Sequence, residues 1–141
     1  MPAPAAPVAN YVPWKRAGEL IYVSGQLPVA GGQVQYKGVL GRGVSVEEGQ
    51  KAAKLCAINV LAAVKAAAGE LSAVEAVRVE GFVASAEGFT LQPAVVNGAS
   101  DFLVEVLGEA GRHTRFAVGV NVLPLGACVE VAAVFRIKRE A

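Results

Sequence analysis

Arg115 stands in a largely apolar stretch that runs from Thr114 to Phe135. A guanidinium is not neutralised inside a protein, and burying it alone is costly. A cation in such a place takes an anion. That anion is either a carboxylate of the protein, in a structural salt bridge, or the carboxylate or phosphate of a ligand. Residue type alone leaves both readings open. The other reactive side chains narrow the chemistry. The single histidine, His113, lies in a G-R-H-T segment between a helix and a strand, where it reads as a solvated loop residue. With one histidine and no cysteine–histidine cluster, a zinc site or a Ser-His-Asp triad finds little support. Cys56 and Cys128 are far apart in sequence and read as buried free thiols. The glycine-rich segment Gly38 to Gly43 contains no G-x-x-x-x-G-K-[ST] pattern, so a nucleotide phosphate loop is not indicated.

The 141 residues suit one domain, 1–141, with a loose N-terminal tip over 1–10. Apolar residues make up 54% and charged residues 18%, an apolar excess that points to a subunit interface. Thirteen basic and twelve acidic residues give a net charge of +1. They are scattered, and the basic end at Arg136, Lys138 and Arg139 is too short for a strong phosphate footprint, so specific nucleic-acid binding is not expected. Lys51, Lys54, Lys65 and Glu70 interrupt the apolar runs well short of a ~20-residue span, so no membrane insertion is expected. The proline-rich start lacks the basic end and apolar run of a secretory signal, and a cytoplasmic protein is the expectation.

Two strands are predicted at Val12 to Arg16 and Glu19 to Ser24, around a turn at Ala17-Gly18, and a short third near Val34 to Tyr36. Ser45 and Glu48 form a capping box for a helix to about Ala68, which Gly69 ends. A strand follows over Val74 to Val83, then a helix from Pro93 to Leu107 ending at Gly108. Thr114 to Val122 and Cys128 to Lys138 complete a β-β-β-α-β-α-β-β order. This is an α+β arrangement, a mixed sheet with both helices on one face. The other face then needs a cover that a monomer does not offer, so homo-oligomerisation is expected.

The chain resembles the RidA/YjgF superfamily, the reactive intermediate imine deaminases, whose older labels are translation inhibitor and endoribonuclease. The landmarks are Tyr22-Val23-Ser24-Gly25-Gln26-Leu27-Pro28, the Asn97-bearing second helix, and Arg115 followed by Leu123-Pro124-Leu125-Gly126-Ala127-Cys128-Val129-Glu130-Val131. The resemblance covers nearly the whole chain and is closest to a slightly longer subgroup. It implies a chorismate-mutase-like fold with six-stranded sheets, a homotrimer, and ligand clefts between subunits. It implies that Arg115 grips the carboxylate of a 2-imino or 2-enamino acid, helped by the Gly25 amide. The Ala117 backbone carbonyl would contact the imine nitrogen or the attacking water. Tyr11, Ser24 and Asn97 match positions that line or adjoin the cleft. The implied partner is a small-molecule carboxylate, and the implied chemistry needs no cofactor and no metal. In the deaminases the last strand reads E-x-E; here it reads Glu130-Val131-Ala132, so only Glu130 is left as a catalytic carboxylate. That departure sets a binding module for small carboxylates beside the hydrolase, with ribonuclease and chorismate mutase behind both.

Overall fold

The fold follows from how its helices start and what they can lie on. In the computed structural model, which describes residues 2–4 and 10–138, Ser45 and Glu48 do form a reciprocal cap. The Ser45 hydroxyl accepts from the Glu48 amide at 3.1 Å, and the Glu48 carboxylate accepts from the Ser45 amide at 3.1 Å. Helix α1 then runs Val46–Ala68, and Gly69 leaves it at φ 91°, where a side chain would strain. Helix α2 is Gln92–Leu107, with Pro93 in its first turn.

The strands are β1 (Trp14–Ala17), β2 (Leu20–Gln26), β3 (Val29–Ala30), β4 (Gln33–Val34), β5 (Val39–Leu40), β6 (Gly43–Val44), β7 (Val74–Ala84), β8 (Thr114–Val120) and β9 (Val129–Ile137). Five of them form the main sheet, in the order β1-β2-β9-β7-β8. The β7–β8 pair is parallel and the rest are antiparallel. The architecture is therefore α+β, a mixed sheet with two helices on one face. The sheet has five strands among the described residues rather than six. The expected third strand near Val34 to Tyr36 contributes only Gln33–Val34, which pairs with Val29–Ala30 outside the sheet. Tyr36 adopts φ 57° and turns the chain away. Strand β8 stops at Val120, two residues early, where the Asn121 side chain takes the Val122 amide.

Helix α1 packs over β2 and β9, and α2 over β7 and β8. Ile21, Val79, Val83, Val131 and Phe135 of the sheet meet Ala53, Cys56, Val60, Val64, Val96 and Leu103 of the helices. Small residues permit the close approach. A Cβ on Gly81 would meet Val96, and one on Gly98 would collide with the Gln50 backbone of α1. Cys56 and Cys128 are both buried and free. No helix among the described residues is long and apolar enough to cross a membrane.

The opposite sheet face carries no layer of this chain. Tyr22 pairs with Val134 there, and Phe82 with Val118. Tyr22 is 48% exposed and Val118 42%. Phe82 and Phe116 stack edge to face with centroids 5.4 Å apart, and the Arg78 guanidinium lies over the Phe116 ring.

Candidate functional site

Arg115 pairs in register with Val79, a fully buried residue on the helix-bearing face, so its side chain leaves β8 toward α2. There its Nη1 donates to Ser100 Oγ at 3.1 Å and its Nη2 to the Pro93 carbonyl at 3.1 Å. Neither partner is charged. Among the described residues the ion pairs are Arg112–Glu109 and Arg136–Glu75, and none of their carboxylates pairs with Arg115. Pro93, Asn97 and Ser100 share one stripe of α2, at spacings of four and three residues. Asn97 is exposed on that stripe. Ala117 faces the helices two residues further along β8, opposite Gly81. Since β8 is an edge strand, half of its backbone groups point away from β7.

The histidine expected in a solvated loop is instead built into this cluster. His113 is half-buried, its Nε2 lies 2.8 Å from Ser100 Oγ, and its Nδ1 lies 2.6 Å from the Gly111 carbonyl. It precedes Arg115 by two residues, and the period-two alternation of a strand was the available signal that both share a face.

A second group gathers over the other half of the sheet. Glu130 extends its carboxyl against Gly25, where an added Cβ would stand 2.5 Å from Oε2. Burial raises the Glu130 pKa above its ordinary value. Ser24 donates its hydroxyl to the Val12 carbonyl at 2.6 Å, the backbone-satisfying role open to a serine near a strand end. Tyr11 and Gly25 line an open groove of about 1300 Å³, with Leu27, Lys37, Asn59 and Leu125 among its other walls. Asn59 donates to the carbonyls of Leu27 and Val29 and fixes that wall. Glu130 lies opposite Phe82, and Ala132 opposite Glu80. A carboxylate therefore does stand next to position 132, contributed by the neighbouring strand, which a search along β9 alone does not find.

The two groups do not meet within one chain. Strands β2 and β8 are three strand spacings apart, about 14 Å. Arg115, Ala117 and Asn97 occupy one edge; Tyr11, Ser24, Gly25 and Glu130 occupy the other half. No cluster of three or more His, Cys, Asp or Glu fit to hold a metal occurs among the described residues.

A mixed sheet backed by two helices, with an arginine on its edge strand held by neutral oxygens, defines a small α+β protein. Comparison with known proteins gives the lineage. The profile of the family described as "YjgF/chorismate mutase-like, putative endoribonuclease" matches residues 1–136, and the chain belongs to that family. It is 46% identical over 139 residues to Protein TCP17 of Trypanosoma cruzi, covering 97% of this chain and 87% of that one. Among solved structures it is similar to Atu1372 of Agrobacterium tumefaciens, described as of unknown function, with 50% identity, 92% and 83% coverage and a TM-score of 0.90. A Shewanella oneidensis protein carrying the endoribonuclease label is 37% identical, with 97% and 91% coverage and a TM-score of 0.92.

Proposed function

We propose that this chain binds small 2-keto and 2-imino carboxylates at Arg115, in a cleft that a second copy of the chain completes. The observation that carries the reading is the state of the guanidinium. It is oriented by two neutral oxygens and paired with no carboxylate among the described residues. Three of its five N–H donors are left for a planar anion. Separation of the two residue groups supports the shared cleft, because Gly25 of the same chain is about 14 Å away by strand spacing. The apolar, layer-free sheet face supports association. The family resemblance makes three copies the expected assembly.

Hydrolysis of the bound imine is the second reading, and the half-buried Glu130 favours it. A protonated imine carbon is already electrophilic. Water adds to it as a carboxylate accepts one of the water's protons; the carboxyl passes that proton to the nitrogen of the carbinolamine and then takes the remaining hydroxyl proton as the C–N bond breaks, leaving a 2-keto acid and ammonia. A carboxyl whose pKa burial has raised is better matched to exchanging that proton.

Calorimetric titration with sodium 2-ketobutyrate tests the first reading: the wild-type chain binds, and Arg115→Ala loses at least about tenfold in affinity. Equal binding by both proteins removes Arg115 from the site. Imine freshly generated by an amino-acid oxidase, in the presence of a trapping nucleophile, tests the second. Faster disappearance with wild type and not with Arg115→Ala identifies a hydrolase. No acceleration, with 2-ketobutyrate still bound, identifies a binding module. RNA cleavage that survives Arg115→Ala would replace both readings with a ribonuclease.

A further inference from the structure

We propose that Ser100 and His113 are positioning residues for the Arg115 fork, a relay that aims it at a carboxylate without neutralising it. The inference rests on the carboxylate reading above. It begins at the Gly111 carbonyl, which can only accept a hydrogen bond. His113 Nδ1, 2.6 Å away, therefore carries the proton. In the neutral ring Nε2 then holds a lone pair, so the Ser100 hydroxyl, 2.8 Å away, must donate to it. With its hydrogen committed, Ser100 Oγ presents lone pairs, and Arg115 Nη1 donates to one of them at 3.1 Å. Every hydrogen in the chain Arg115–Ser100–His113–Gly111 has one allowed direction. The Pro93 carbonyl holds Nη2 from the other side.

The links come from the turn before β8, from the residue that leads into β8, and from α2, so the tertiary fold assembles the relay. A glutamate at residue 100 would hold the guanidinium more strongly, but it would also cancel the charge that an incoming anion needs. Neutral partners orient the plane and leave the charge available. The same connectivity carries information outward. An anion seated on Arg115 polarises the guanidinium, and Ser100 passes that change to Nε2 of the ring.

Because His113 is the only histidine, ¹⁵N-histidine labelling of the full chain yields a single imidazole to follow. The ligand-free wild type is expected to show the Nδ1–H tautomer. Saturation with sodium 2-ketobutyrate is expected to move the Nε2 resonance, the ring atom that Ser100 joins to Arg115. Ser100→Ala should weaken 2-ketobutyrate binding about tenfold and abolish the ligand-linked change at the ring, while Ser100→Thr, which keeps the hydroxyl, stays within about threefold of wild type. A merely structural serine would shift the melting temperature and leave that linkage intact. Ser100→Ala binding as wild type does, or a ring Nε2 resonance that stays in place while 2-ketobutyrate binds, overturns the relay alone. Absence of any binding by wild type overturns the carboxylate reading and the relay with it.

Discussion

Glu130 folds its carboxyl against Gly25, and the one backbone position without a side chain is what makes room for it. Burial disfavours the charged form there, so the folded protein holds the Glu130 proton more tightly than the unfolded chain does. The sign follows from proton linkage. Between the ordinary carboxylate pKa and the raised one, the native state binds more protons, so stability falls as pH rises through that window. Below the window the acid is neutral in both states and the penalty is absent. Glu130→Gln is therefore expected to melt higher than wild type at pH 8 and to lose that advantage at pH 4, read by thermal denaturation at both pH values. Arg115, His113 and Ser100 make the complementary case, since each is fixed by a hydrogen bond to a group far away in sequence or on another element. An arginine in an apolar run was visible from the sequence as a cation in search of an anion. That its protein partners are neutral was not, because Ser100 and Pro93 reach it only when α2 is laid on β8.

Helix α2 lies where it does because glycine permits it. Gly98 brings the helix against the Gln50 backbone of α1, and Gln50 donates to the Ala94 carbonyl at 2.9 Å across the same contact. Gly98→Ala is expected to cost about 1–3 kcal/mol by overpacking, measured by denaturant unfolding. It should also weaken 2-ketobutyrate binding, because Pro93, Asn97 and Ser100 move with the helix. The helices and long strands were legible from the sequence to within a residue or two. The Ser45–Glu48 box, Gly69 and Gly108 are local signals that act through the chain's own nearest amides. The third strand was not legible. Val34 to Tyr36 has strand-like composition, but Tyr36 sits in a left-handed conformation, and the partner that recruits Gln33–Val34 is the two-residue β3.

The layer-free sheet face is the surface on which the proposed association would rest. Tyr22, Val134, Phe82, Phe116 and Val118 form an apolar surface interrupted by Arg78, Glu80 and Glu130. In the proposed assembly, further copies would cover it, bury the apolar excess seen in the composition and bring one chain's Arg115 edge toward another's Gly25 and Glu130. Wild type is expected to elute as an oligomer, with three copies as the size implied by the family, and Tyr22→Asp or Val118→Asp to shift it to monomer in light scattering. The monomeric variants should lose 2-ketobutyrate binding together with assembly. Retention of full affinity by a monomer would place the whole site within one chain.

By itself the sequence determined the class of fold, the two helices and their ends, and an arginine set in a largely apolar strand. All of these depend on short-range spacing and on side-chain chemistry that no partner can alter. The tertiary structure alone decided that the cation is held by a serine hydroxyl and a backbone carbonyl rather than by an acid among the described residues, that Glu80 stands opposite Ala132, and that Arg115 and Gly25 are separated across the sheet. Each of these depends on strand order and helix placement, which bring together residues dozens of positions apart. No local pattern encodes which strands become neighbours.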